Sequence, residues 1–287
     1  MPKAGQRVIQ VVLACLVLVG LGACDSDDPS GEGDDRLEYV AMGDSYSAGP
    51  GIPKIVQKQC QRSDHNYPHL VAKRLDAFLV DVTCGGARTD AVLQSQVQQS
   101  AGAVQPPQIS GLSADTDLVT IGLGVNDLGL SATAIYGCVL VAERDPQGAP
   151  CERAYGDRAP KQVRAIRKRL VDTIDAIASR APDARIVVVG YPRLLPPNGS
   201  CPERFPLAEG DVDFVRTTVN SLIDAVAAAA DDAGATYIDV AKASAGHDIC
   251  SDDPWVNGKR AKKGQGAAYH PTPLEQRAVA RLIHDAL

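Results

Sequence analysis

The chain has 287 residues, 45% of them hydrophobic and 22% charged, and 8 are cysteines. That length and apolar content support a globular core and exclude a disordered or collagen-like chain. With 29 Lys and Arg against 35 Asp and Glu, a net charge of −6, there is no global basic field for a polyanion, which argues against nucleic-acid binding.

Residues 1–23 read as an export signal. Lys3 and Arg7 precede an apolar run from Val8 to Ala23 that is too short to span a bilayer comfortably. The run closes on Leu21-Gly22-Ala23-Cys24, which resembles a bacterial lipobox. Cys24 is then the expected lipidation site, anchoring the mature protein to the outer face of the cell membrane; the alternatives are an ordinary signal peptide, which would release it, or an uncleaved anchor. Residues 24–36 carry six acids and one base with almost nothing apolar to bury, so they form an acidic flexible tether. Residues 37–287 form the expected folded domain, with 26 bases and 29 acids, so the negative charge lies largely in the tether.

Export places the remaining cysteines, Cys60, Cys84, Cys138, Cys151, Cys201 and Cys250, in an oxidising compartment, where an even number points to disulfides. None forms a Cys-x-x-Cys pair or has a His at zinc-finger spacing, so no metal is expected. Sequence alone does not choose among the possible pairings.

Strand-like and helix-like segments alternate along the domain. Strands are expected at 37–42, 79–83, 117–121, 185–190 and 235–240, and helices at 67–78, 89–100, 160–180, 211–233 and 273–286. The clearest helix sets Val163, Ile166, Leu170, Ile174 and Ile177 on one stripe, with Arg164, Arg167, Lys168 and Asp172 on a solvated face. This order implies βαβ units and one doubly wound α/β domain on a five-stranded, mostly parallel sheet. Residues 128–159 lack periodicity and read as a long functional loop, which a Cys138–Cys151 bridge would pin.

Chemistry in an open α/β sheet gathers at the carboxyl ends of the strands. After the first strand comes Gly43-Asp44-Ser45-Tyr46-Ser47-Ala48-Gly49, whose Ser45 sits in a tight turn and is a nucleophile candidate. After the second comes Cys84-Gly85-Gly86-Ala87-Arg88-Thr89, where bare backbone N–H groups are open to a substrate. The third leads into Gly122-Leu123-Gly124-Val125-Asn126-Asp127, where Asn126 offers a further donor. Near the C-terminus, His270 stands before Pro271-Thr272-Pro273 at a helix start.

These four blocks, in this order, resemble the SGNH (GDSL) hydrolase family, from Leu37 to Leu287. Cys60-Gln61-Arg62-Ser63, Gly190-Tyr191-Pro192 and Pro254-Trp255-Val256 are similar to its secreted actinobacterial lipases and esterases. The resemblance implies a three-layer α/β/α, flavodoxin-like fold and the sequential disulfides Cys60–Cys84, Cys138–Cys151 and Cys201–Cys250. It also implies a Ser45–His270 acyl-enzyme mechanism without cofactor, and an oxyanion hole of the Ser45 and Gly86 N–H groups with the Asn126 amide. A side chain at position 86 is expected to crowd the acyl group. Many members carry Asp three residues before the catalytic His, where this chain has Ala267. The Ala267 backbone carbonyl is the first candidate to orient His270, with Asp252 and Asp253 as alternatives; Asp44 reads as structural.

Rival patterns fail on context. Ser47 replaces the second Gly of a Gly-x-Ser-x-Gly elbow, and no Gly-x-Gly-x-x-Gly follows the first strand. His65 and His69 lack a third metal ligand nearby, and His247 and His284 lack any accompanying motif. Lys259, Arg260, Lys262 and Lys263 read as a solvated basic loop ahead of His270, with attraction of anionic headgroups as the sharper reading. The expected function is an exported, monomeric serine ester hydrolase of lipase or esterase type, acting on acyl-ester or lipid substrates. Few aromatics, 3 Phe, 1 Trp and 8 Tyr, favour acyl chains over sugars. The alternatives are a glycan or cell-wall O-deacylase, or a non-catalytic ligand-binding surface lipoprotein suggested by the missing Asp.

Overall fold

A computed structural model of the chain describes residues 36–97 and 102–287. The expected signal, the Cys24 lipidation site and the tether up to residue 35 lie outside the described residues.

Five strands form one parallel sheet: β1 (Glu38–Gly43), β2 (Phe78–Asp81), β3 (Leu118–Gly122), β4 (Arg185–Val189) and β5 (Thr236–Ile238). Their spatial order is β2-β1-β3-β4-β5. Alternate side chains enter opposite layers, as the two-residue strand period requires. Val40, Met42, Val119, Ile121 and Val188 join one buried cluster, which includes Ile166, Leu170 and Ile174 of α2 (Ala159–Arg180) and Leu222 and Val226 of α3 (Val212–Asp232). Tyr39, Ala41, Leu118, Val187 and Val189 join the other, with Val71 of α1 (Tyr67–Leu75) and Val279 and Ile283 of α4 (Pro273–Ala286). The result is the three-layer α/β/α arrangement.

Local chemistry sets the helix ends. The Asn66 side chain accepts from the His69 N–H at the start of α1, and Thr272 accepts from the Glu275 N–H at the start of α4, each followed by a proline in the first turn. The disulfides are Cys60–Cys84, Cys138–Cys151 and Cys201–Cys250.

Two expectations need correction. The helix expected at 89–100 is a single turn, Asp90–Leu93, after which Gln96–Val97 pairs antiparallel with Val104–Gln105. The polar run after Leu93 offers no apolar stripe to bury, and residues 98–100 lie outside the described residues. The expected loop at 128–159 is largely helical: a π-helix (Ala132–Gly137) runs into Cys138–Ala142, and Pro150–Tyr155 follows. A π-turn breaks the 3.6-residue period, which hides such a segment from pattern reading. Asp211 holds it from outside, accepting from the Cys151 N–H at 2.9 Å and the Glu152 N–H at 2.8 Å.

Candidate active site

The strand order reverses between β1 and β3, whose last residues, Gly43 and Gly122, are register partners. Such a switch point opens a crevice at the carboxyl ends of the strands. Ser45 and Asn126 follow these two adjacent ends.

Beyond β1 the chain turns at once into the one-turn helix Ser45–Ala48. Gly43 is needed there because a Cβ would lie 2.2 Å from the Ser47 Oγ. Asp44 caps the turn, accepting from the Tyr46 N–H at 2.8 Å, while its own N–H donates to the Gly122 carbonyl at 3.0 Å. Gln108 grips the Gly43 backbone from both sides, accepting its N–H at 2.9 Å and donating to its carbonyl at 3.0 Å. Ser45 is thereby held at a fixed turn with only 8% of its surface exposed.

His270 comes from the loop before α4 and meets Ser45 across 225 residues of sequence: its Nε2 lies 3.0 Å from the Ser45 Oγ. Its Nδ1 lies 2.8 Å from the Ala268 carbonyl. A carbonyl only accepts, so Nδ1 carries the proton and Nε2 is free to accept from the serine hydroxyl. This corrects the sequence expectation by one residue. The Ala267 carbonyl accepts the His270 backbone N–H instead, at 3.3 Å. The left-handed Tyr269 between them, φ 58°, turns the Ala268 carbonyl back toward the ring. Asp252 and Asp253 play no part: both are exposed, and the Asp253 carboxylate lies 3.2 Å from His247. The loop is tied down by the Tyr46 hydroxyl, which donates to the Tyr269 carbonyl at 3.0 Å, and by the Asn257 N–H, which donates to the His270 carbonyl at 3.0 Å. Burial pushes the His270 imidazole below its ordinary pKa, partly offset by the bond to Ala268.

Gly86 and Asn126 line a common groove of about 700 Å³, together with Arg88, Gln96 and Ser131. Gly86 adopts φ +73°, and a Cβ there would meet only the Gln96 Nε2, at 3.9 Å. The left-handed backbone conformation by itself calls for glycine at this position, and the space beside its Cα opens into the groove. Gln96 donates to the Gly85 carbonyl at 2.9 Å, fixing the peptide plane that carries the Gly86 N–H. Asn126 donates to the Ala87 carbonyl at 3.0 Å and accepts from the Ser131 hydroxyl at 3.0 Å, which leaves its second amide N–H for another acceptor. The neighbouring Asp127 is buried and accepts from the Thr89 N–H at 3.0 Å and hydroxyl at 2.5 Å, joining the two loops. Burial raises its carboxyl pKa.

Gln96 and Gln108 support the site without any sequence signal of their own, since each acts through the partner it meets in the fold, while Tyr191 lies in the Gly190-Tyr191-Pro192 block of the resemblance, which assigns it no role. Tyr191 donates to the Asp44 carboxylate at 2.7 Å, and burial of that carboxyl raises its pKa to about 7. The remaining sequence candidates stand apart. His65 binds Asp64 and His69 binds Asn66, while His247 stacks on Trp255. Among the described residues no group of three or more His, Cys, Asp or Glu is placed to hold a metal ion. Arg260 and Lys262 of the basic loop line a separate cavity of about 440 Å³ that also contains Glu203, Asp252 and Asp253, so its charge is mixed.

The sequence matches the model of the GDSL-like lipase/acylhydrolase family over residues 41–278. It is 34% identical to Lipase 2 of Streptomyces coelicolor over 302 residues, covering 100% of this chain and 99% of that protein. It is 35% identical to a lipase of Streptomyces rimosus, covering 82% and 81%. Among solved structures, phospholipase A1 from Streptomyces albidoflavus superposes with a TM-score of 0.71 at 30% identity, covering 88% of this chain and 100% of that one. The extracellular lipase of Streptomyces rimosus superposes with a TM-score of 0.68 at 32% identity, covering 88% and 100%.

Proposed function

The chain belongs to the GDSL-like lipase/acylhydrolase family and is an ester hydrolase, and from that premise we propose that Ser45 is its nucleophile, His270 its general base and acid, and the Ser45 N–H, Gly86 N–H and Asn126 amide its oxyanion donors. The observation that carries this reading is the relay of two hydrogen bonds through His270, 3.0 Å to the Ser45 Oγ and 2.8 Å to the Ala268 carbonyl.

The Ser45 oxygen attacks the ester carbonyl as its proton passes to His270 Nε2. Charge on the tetrahedral oxygen falls to the three donors, and the imidazolium is steadied by its Nδ1–H bond to Ala268. Collapse breaks the bond to the alcohol, which leaves with the proton from Nε2 and an acyl group on Ser45. Water then gives a proton to the same nitrogen as it attacks the acyl carbonyl, and collapse breaks the Ser45–acyl bond while Nε2 returns the proton to the Ser45 oxygen, releasing the acid. A backbone carbonyl fills the orienting position that the missing Asp left open, which removes the motive for a non-catalytic binder.

The lipase and phospholipase names of the relatives support acyl esters of lipids as substrates. The signal-like N-terminus supports export with a lipid anchor on Cys24. A fluorophosphonate probe together with a panel of acyl esters tests the assignment: wild type is labelled and hydrolyses esters, and Ser45→Ala does neither while keeping its fold. Label retained in folded Ser45→Ala overturns it. Mass spectrometry of the mature N-terminus tests the anchor, which an unacylated Cys24 would refute.

A further inference from the structure

Tyr191 follows β4, the strand next to β3, and is buried to within 4% of its surface. Its hydroxyl makes two bonds of opposite sense: it donates to the Asp44 carboxylate at 2.7 Å and accepts from the Val125 N–H at 3.2 Å. A phenol has one proton to give, so this is a directed chain from the Val125 amide through the phenol to the carboxylate. Asp44 is the residue before Ser45, and Val125 is the residue before Asn126. The Tyr191 ring packs edge-on against Tyr46, with centroids 5.3 Å apart at 83°, so the phenol itself is held. On the far side, Gly124 lies close against α2, where a Cβ would come within 3.2 Å of Ile166.

We propose that Tyr191 is a positioning residue that sets the spacing between the nucleophile Ser45 and the oxyanion donor Asn126 by clamping the residues that precede them. An oxyanion donor is effective only within about 2.7–3.1 Å of the place where negative charge develops, and that place is fixed by the atom the serine attacks. The last ladder bond between the two strands runs from the Asp44 N–H to the Gly122 carbonyl, and Ser45 and Asn126 both stand beyond it, so the sheet ladder alone does not set their separation. The phenol, reaching across from the third strand end, supplies that constraint. The inference rests on the roles assigned above to Ser45 and Asn126.

A double-mutant cycle on the full-length protein tests it, with kcat and KM measured for a short-chain ester well below the unfolding temperature. Tyr191→Phe should lower kcat about tenfold or more, the scale on which small misplacements act, and leave KM within about twofold. In an Asn126→Ala background the same substitution should change kcat by less than about twofold, because the spacing it sets no longer matters. Tyr237→Phe is the control: that hydroxyl is buried without a hydrogen-bond partner among the described residues, so its loss should leave both constants unchanged. An equal loss of kcat from Tyr191→Phe in both backgrounds overturns the clamp alone, as does an unchanged kcat in folded Tyr191→Phe. If Asn126→Ala by itself leaves kcat unchanged, the oxyanion assignment falls and the clamp with it. Should Tyr191→Phe not fold, Asp44→Asn enters the same cycle, weakening the other half of the clamp, with the same expected outcome and the same refutation.

Discussion

His270 is held by a backbone carbonyl rather than a carboxylate, and this sets how activity depends on pH. The base must be neutral to accept the Ser45 proton, so kcat/KM falls about tenfold per unit once pH drops below the imidazole pKa. Burial of His270 lowers that pKa from its ordinary 6.5, and the Ala268 bond returns only part of the shift. The acid limb should therefore have its midpoint below 6.5. A carboxylate on Nδ1 would act in the opposite sense, since an adjacent opposite charge favours the charged form by about 1–3 units, and would move the midpoint above 6.5. The assay is kcat/KM for a short-chain p-nitrophenyl ester across the acid and neutral range, for wild type, Asp252→Asn and Asp253→Asn. Loss of a carboxylate that orients a catalytic His costs about 10⁴ in kcat. Here each substitution should stay within about twofold of wild type, because neither side chain reaches the ring. A step near pH 7 would belong to Asp44, whose carboxyl is raised to about that value, and should vanish in Asp44→Asn. An acid limb centred at or above 6.5 that persists in Asp44→Asn, or collapse of turnover in folded Asp252→Asn or Asp253→Asn, refutes the carbonyl assignment.

Glu275 is buried at the start of α4, and burial raises its carboxyl from 4.5 to about 8. A raised folded pKa gives stability that is complete below the unfolded value and is lost as pH rises through the folded one. Glu275→Gln should therefore gain on wild type by a few kcal/mol between pH 5 and pH 9 in urea unfolding, and a difference that does not change with pH refutes this. Gly86→Ala should cost about 1–2 kcal/mol by forcing a left-handed alanine, read as a lower urea midpoint, and should reduce kcat as the Gly86 N–H shifts; unchanged stability would show that φ +73° is not required. The chain-entropy model ranks the disulfides by loop length: removing Cys201–Cys250, 49 residues apart, should cost about 4 kcal/mol, and removing Cys138–Cys151, 13 apart, about 3. A reversed order in paired Cys→Ser variants would locate the difference in the folded state instead.

Much of the architecture can be read from short-range pattern. The stripe from Val163 to Ile177 faces the core as its spacing requires, and the five expected strands all enter the sheet within a few residues of the expected ends. The segment 128–159 resisted the same reading because a π-turn and two short helices are held by Asp211 and a disulfide rather than by an apolar period. The helix expected from Thr89 stops after one turn, and Gln96 beyond it reaches the Gly85 carbonyl. At the site, Ser45, Gly86, Asn126 and His270 stand out in sequence because turns and strand ends have local signatures. Gln96 and Gln108 do not, and Tyr191 stands out only within the Gly190-Tyr191-Pro192 block without a role, because a glutamine or tyrosine reveals its role only through the partner it meets.

The order of residues determined, by itself, the alternation of strands and helices, the helix start at Thr272-Pro273, and the small set of side chains with chemistry to offer. These follow from periods and turn preferences that act over a few residues. Only the tertiary structure decided that β1 lies between β2 and β3, that Ser45 and His270 meet, and that Ala268 rather than Ala267 faces the imidazole. Those outcomes depend on packing across the sheet and on one left-handed residue, Tyr269. A contact between residues 225 positions apart is set by the shape of everything folded between them, and no local pattern carries that.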